Sequence, residues 1–127
     1  MNLFDVVLPH PHLQALYPEG INGDILIGRV EFSSGGHIFL TLHTKEKPSK
    51  EVAKWGLYGR DFNTVSITLS VCNAESVYIS GWYMAGFFSI DIEQQKDIYV
   101  IRQCNGDFKV EIKAEFLVFQ SCSVYLS

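Results

Sequence analysis

The chain has 127 residues, of which 47% are hydrophobic and 19% are charged. This length and composition suit one folded domain over residues 1–127 and exclude an intrinsically disordered chain. The formal net charge is −4, so there is no basic excess that could follow a nucleic-acid backbone. We therefore expect no nucleic-acid partner.

The N-terminus and the cysteines indicate a cellular compartment. The first residues, Met-Asn-Leu-Phe-Asp-Val-Val-Leu-Pro, lack the basic start and long apolar core of a signal peptide. No apolar stretch is long enough to span a bilayer, which predicts no membrane association. Cys72, Cys104 and Cys122 are odd in number and lie in apolar strand-like runs, so we predict buried, reduced thiols. Free thiols of this kind favour the cytoplasm.

Residues 1–23 have the least regular pattern in the chain. A short apolar run ends at Pro9 and Pro11, which forbid a continuous helix or a central strand. Residues 12–17 can form one helical turn, which Pro18 and Gly20 would stop.

An alternating pattern of period two begins at Asp24 and predicts β-structure. It assigns two sets of residues to opposite faces: Leu26, Gly28, Val30 and Phe32 on one, and Ile25, Ile27, Arg29 and Glu31 on the other. Residues 33–36 supply turn chemistry, because glycine accepts positive φ. Alternation then resumes at Ile38, Leu40 and Leu42, so the whole stretch predicts a hairpin.

Residues 45–60 interrupt the alternation and form the one long, irregular, basic stretch. Its basic residues outnumber Glu46 and Glu51: they are Lys45, Lys47, Lys50, Lys54 and Arg60. Ser49 could cap a short helix through Lys54 that ends at Gly56, and an extended edge segment fits equally well.

The second half of the chain predicts further strands and tight turns. Val65, Ile67, Leu69 and Val71 alternate with Thr and Ser, which indicates one buried and one wet face. We predict turns at 73–76, at 93–97, and at Asn105-Gly106, a strong hairpin signal. The alternation of apolar and polar residues stops at residues 117–119, where all three residues are apolar. A β-bulge or a position buried on both sides would explain this change.

This pattern predicts an all-β fold of about eight antiparallel strands with at most one or two short helical turns. No helical period of ten residues lies between the strands, which argues against a parallel sheet with crossover helices. Both a two-layer sandwich and a rolled, barrel-like sheet satisfy the pattern.

None of the residue groups that could form a catalytic or metal-binding site is convincing, so we predict neither an enzyme nor a metal or cofactor site. His10-Pro11-His12 resembles a chelating pair, but a third ligand such as His37 or His43 would come from far away. Asp91 and Glu93 share a strand face and could be general acid and base, although this spacing is more typical of a solvated strand end.

A family resemblance appears at the centre of the chain. It is carried by Lys54-Trp55-Gly56, Asn63, Val65-x-Ile67-x-Leu69 and Val77-x-Ile79-x-Gly81-Trp82, and more loosely by Gly106-Asp107 and Tyr125. This order resembles the bacterial immunity proteins of polymorphic-toxin and contact-dependent-inhibition systems, in particular the all-β group called immunity protein 50. The resemblance covers roughly residues 20–126. It implies a cytoplasmic protein, not an enzyme, that binds a cognate toxin domain and blocks it.

The residues suggest how such a partner could be bound. We predict that Asp91, Glu93 and Asp97 contact a basic toxin surface, such as that of a nuclease, with Trp82 and Tyr83 as aromatic anchors. The basic stretch 45–60 is the rival surface. The alternative function is a small-ligand-binding β-barrel, which needs a cavity that its side chains cannot fill.

Overall fold

A computed structural model describes all residues from 1 to 127. The one α-helix is α1 (Pro11–Leu16), and single 3-10 turns occur at Leu3–Asp5, Ser34–Gly36, Ala53–Trp55 and Trp82–Met84. The nine strands are β1 (Ile25–Ser33), β2 (His37–Thr44), β3 (Thr64–Cys72), β4 (Ser76–Ser80), β5 (Phe87–Phe88), β6 (Asp91–Gln95), β7 (Ile98–Asn105), β8 (Phe108–Ala114) and β9 (Phe116–Tyr125). The prediction of an all-β fold with little helix is confirmed.

The strands form two antiparallel sheets and no closed barrel. The larger sheet has the order β5-β1-β2-β3-β9, and the smaller has the order β4-β8-β7-β6. Of the two predicted architectures, the two-layer arrangement is therefore the one adopted.

The two sheets are joined at one corner by a nearly continuous ladder. There β3 leads into β4, and β8 leads into β9, so the polypeptide passes from one sheet to the other at two neighbouring places. The backbone N–H of Glu75 donates to the carbonyl of Lys113 (2.7 Å), and that of Glu115 donates to Cys72 (3.1 Å). Strands that switch sheets in this way fix the relative position of the two layers. The predicted turn at 73–76 is thus a link between sheets.

The core lies between the two sheets and is filled by apolar side chains. Alternation in β3 buries Val65, Ile67, Leu69 and Val71, as predicted. The irregular N-terminal stretch also contributes: Leu3, Val6, Val7, Leu13, Leu16, Tyr17 and Ile21 are buried. Helix α1 begins after His10, whose Nδ1 accepts from the N–H of His12 (3.2 Å), and it covers the predicted helical turn.

The predicted faces of β1 are wrong because a β-bulge interrupts the strand. Ile27 pairs with Leu42 and Arg29 with Thr41, so Gly28 is the extra residue. The bulge reverses the alternation, which buries Ile25 and Ile27 and then turns Val30 toward the core. Strand β9 contains a second bulge at Gln120, directly after the stretch 117–119 where a bulge was considered from the sequence.

Two hairpin turns are shifted from their predicted positions. Asn105 pairs with Phe108, so the two-residue loop is Gly106-Asp107, with the positive φ at Gly106 that a type II′ turn requires at its first position. Gln95 pairs with Ile98, so the stretch 93–97 is mostly strand and only Lys96 and Asp97 form the turn.

The basic stretch forms one 3-10 turn, Ala53–Trp55, in place of the helix considered for 49–54. Gly56 follows with a φ of 82°, and an added Cβ would lie against the Asp61 carboxylate. The Asp61 carboxylate accepts the backbone N–H of Leu57 (2.7 Å), which lowers its pKa; Arg60 lowers it further. The glycine of the Lys54-Trp55-Gly56 motif therefore allows a close loop contact.

The prediction that all three cysteines are buried is wrong. All three are free, but Cys104 is exposed, and Cys72 and Cys122 are half-buried. In β7 the buried position goes to the polar Gln103, so alternation directs the next residue, Cys104, outward.

Candidate functional site

The predicted acidic residues lie on and beside β6, an edge strand of the smaller sheet. Asp91 and Glu93 are exposed on the solvent face of this strand, so the structure brings them together. Asp97 is exposed in the adjoining turn. Neither Asp91 nor Asp97 forms a salt bridge, so both carboxylates are available to a partner.

Glu93 belongs instead to a charge network within the sheet. Arg102 in β7 donates to Glu93 (2.7 Å) and to Glu111 in β8 (2.9 Å). The hydrogen bond from Arg102, with a second from Gln95, lowers the pKa of Glu93. A general acid needs a pKa raised toward neutrality, so this shift is opposite to the one that the acid–base hypothesis requires.

Trp82 and Tyr83 lie in the 3-10 turn that follows β4. Gly81 precedes them in the left-handed conformation, and an added Cβ there would meet the carbonyl oxygen of Asp107. The Trp82 ring packs against Phe108 with 6.2 Å between centroids and is still 39% exposed. Tyr83 is 83% exposed.

The structure separates these aromatic residues from Asp97. Strands β4 and β6 are opposite edges of the smaller sheet. Gly81 lies against the turn at one end of β7, and Asp97 lies in the turn at the other end. An eight-residue strand is roughly 23 Å long. The aromatic residues and Asp97 therefore form two groups at opposite ends of the smaller sheet, and Asp91, which pairs with Arg102, lies between these ends.

The solvent face of the larger sheet is a surface that was not predicted from the sequence. Strands β2, β3 and β9 contain no Asp, Glu, Lys or Arg. Their outer face carries hydroxyl side chains in adjacent rows: Thr41, Ser66, Thr68, Ser70, Ser121 and Ser123. The Thr-Ser alternation of residues 64–70 was the available signal. Across β2, β3 and β9 this face is rich in hydroxyl groups and carries no charged side chain, whereas β1 adds the Arg29–Glu31 ion pair at one border of the face.

His43 and Tyr125 border this hydroxyl-rich face. The Tyr125 hydroxyl lies 2.8 Å from Nδ1 of His43. The imidazole ring lies over Gly28, where an added Cβ would come within 2.4 Å of Nε2. Partial burial lowers the pKa of His43. The glycine at the bulge thus provides the space that the histidine ring occupies.

A cysteine and a histidine come together where α1 packs on β9. The Sγ atom of Cys122 lies 3.4 Å from Nε2 of His12, whose ring contacts Trp55 and Phe119. A cysteine nucleophile must be a thiolate, and an activated one has a lowered pKa. Burial raises the pKa of Cys122 instead. This pair is therefore a packing contact.

The histidines considered as metal ligands are dispersed. His10 caps α1, His12 contacts Cys122, His37 is exposed, and His43 lies on the larger sheet. No three side chains of His, Cys, Asp or Glu are grouped so that they could hold a metal ion. The ligand-binding barrel has no counterpart in this fold, since the two sheets do not close into a barrel.

The protein is a two-layer β-sandwich in which no catalytic machinery is visible. Comparison with known proteins assigns it to a family. Residues 22–125 match the family described as Immunity protein 50, so the chain belongs to the immunity protein 50 family. No curated protein and no solved structure gave a significant match. None of the helices combines the length and apolar character needed to cross a membrane.

Proposed function

We propose that this protein binds a cognate bacterial toxin domain in the cytoplasm and neutralises it by covering its active site or substrate surface. The observation that carries the proposal is the family match over residues 22–125. The lowered pKa of Glu93 and the raised pKa of Cys122 are opposite to the shifts that a general acid and a cysteine nucleophile need, in line with inhibition by binding.

The surface of the protein is compatible with a nuclease as the target. Nucleases bind phosphates in basic clefts, and acidic side chains can occupy such clefts and speed association. Asp91 and Asp97 carry carboxylates without an ion-pair partner, and Glu93 lies between them in the chain. We assign Asp91, Glu93 and Asp97 as the acidic contacts and Trp82 and Tyr83 as the aromatic contacts of this interface.

The distance between the two groups does not prevent a common interface. A standard protein interface covers about 800 Å² on each partner. A circular patch of that area is roughly 32 Å across, which exceeds the roughly 23 Å along β7. One toxin domain can therefore reach both groups if it lies along the smaller sheet.

Co-expression tests the function directly. The toxin domain encoded beside this gene is produced in a bacterial host with and without this protein, and growth is measured. We expect growth only when both are present, and co-elution of the two proteins at equal stoichiometry. Unchanged growth arrest with no co-elution would refute the proposal.

Charge reversal then tests the acidic interface. In one variant Asp91 and Asp97 become lysine; in the other Lys47 and Lys50 become glutamate. Both pairs are exposed and outside the salt bridges, so both variants should fold. Protection should fall in the first variant and persist in the second, and the opposite result would move the interface to the basic stretch.

A further inference from the structure

Most of the outer edge of β1 is unpaired. Strand β5 is only two residues long and covers Ile25 and Leu26. From Ile27 to Ser33, β1 pairs with β2 on one side and with no strand on the other. No turn or loop segment forms a backbone hydrogen bond with this stretch. An edge strand of this kind presents a row of free N–H and C=O groups.

A cavity lies directly beside this open edge. It has a volume of about 290 Å³ and is lined by Gly28, Arg29, Val30, Ile79 and Trp82. The 3-10 turn at Trp82–Met84 precedes β5, and residues 82–86 form no backbone hydrogen bond with β1, so the edge beyond Leu26 stays unpaired beside the cavity. The edge and the cavity together offer both backbone partners and a place for a side chain.

The side chains around the edge restrict what can bind. Val30 is turned toward the core, and Phe32 lies two residues further along the same face and is 60% exposed. On the other face, Arg29 and Glu31 form an exposed ion pair (2.8 Å). An added strand would therefore meet apolar groups on one side and a neutralised charge pair on the other.

We propose that an extended segment of the toxin domain adds to the larger sheet as a strand along residues 28–33. This inference rests on the proposed function. Unpaired backbone groups in a strand edge are satisfied by another extended backbone, and pockets beside the edge select alternate side chains. The toxin segment alternates apolar and polar residues, and one apolar side chain occupies the cavity between Val30, Ile79 and Trp82.

Hydrogen exchange of the complex with the neighbouring toxin domain tests this pairing. We expect those amides of residues 28–33 that do not bond to β2 to exchange at least about tenfold more slowly in the complex than in the free protein. A complex that forms and inhibits but leaves these amides unprotected would overturn the inference and leave the proposed function intact. Concentration-dependent protection without the toxin would identify a second copy as the occupant, and would also overturn it.

A matched pair of substitutions provides the second test. Phe32→Asp places a charge where the added strand would lie, and Leu126→Asp makes the same change at a similarly exposed residue just beyond β9, the opposite edge of the larger sheet. We expect the dissociation constant for the toxin domain to rise about tenfold or more for Phe32→Asp and by less than about twofold for Leu126→Asp. Thermal melts would verify that both variants are folded. Equal effects of the two changes would contradict the inference.

Discussion

The side chain of Gln103 joins the two sheets, because its Nε2 atom lies 2.7 Å from the carbonyl oxygen of Ile25. The same nitrogen donates to the carbonyl of Phe88 at 2.9 Å. Gln103 is in β7 of the smaller sheet, whereas Ile25 and Phe88 are paired residues in β1 and β5 of the larger sheet. The amide therefore holds the two-residue strand β5 and the start of β1 against β7. Its Oε1 atom is buried and has no partner.

Replacing Gln103 with leucine should destabilise the protein. The substitution removes the donor to two carbonyl groups, and a buried unsatisfied group costs about 1–3 kcal/mol. Removal of the unpaired Oε1 offsets part of this, so we expect a loss of about 2 kcal/mol in the free energy of unfolding, measured by urea denaturation. Gln120→Leu, at an exposed position, is the control and should change it by less than about 0.5 kcal/mol. Equal stability of the two variants would show that the link between the sheets is unimportant.

Alanine substitutions at Gly81 and Gly36 distinguish two destabilising effects of an added methyl group, which are backbone strain and steric overlap. Both have positive φ, 66° and 78°, but a Cβ at Gly81 would lie 2.2 Å from the carbonyl oxygen of Asp107, and nothing lies within 4 Å of one at Gly36. Gly36→Ala should lower the free energy of unfolding only by the strain of a positive φ at alanine, about 1–2 kcal/mol. Gly81→Ala must also displace backbone and should lose at least about 1 kcal/mol more in chemical denaturation. A smaller loss at Gly81 would contradict this contact.

The thiols should react with unequal speed. Cys104 is exposed, whereas Cys72 and Cys122 are half-buried, and burial raises the pKa of Cys122. Because the thiolate is the reactive form, a thiol reagent should modify Cys104 first in the native protein. Cys104→Ser should remove the fast phase, and Cys122→Ser should leave it unchanged. Mass spectrometry of the labelled peptides would identify the site, and first labelling at Cys122 would be the contrary result.

The protein should lose stability on mild acidification through His43. Burial lowers its pKa below the ordinary 6.5, so near that pH the unfolded chain binds a proton that the folded chain does not. Stability is therefore full above about pH 6.5 and falls as the pH drops toward the lowered folded pKa. His43→Gln should melt with less pH dependence between pH 7 and 5. The control His37→Gln changes an exposed residue and should retain the dependence of the unmodified protein. Identical pH profiles for all three would exclude His43 as the cause.

The family motif is explained by the fold more than by the interface. Gly56 admits the Asp61 carboxylate, and Gly81 admits the backbone of Asp107. Asn63 binds the C-terminus, since its side chain donates to Ser127 (3.0 Å) and accepts from the Ser127 backbone (3.1 Å). The contact at Gly56 is local in sequence, whereas Gly81 and Asn63 contact distant parts of the chain. They do not identify the partner-binding surface.

The sequence by itself determined the strands and much of the core. Alternation in residues 65–71 specified both β3 and its buried face, because the side-chain period of a strand is a local property. The tertiary structure alone decided the bulge at Gly28, the inward turn of Gln103, the pairing of Glu93 with Arg102 and the separation of Trp82 from Asp97. It also decided that β5 ends after two residues and leaves β1 open. Each of these depends on which strands become neighbours, and residues 25 and 88 meet only when the whole sheet forms.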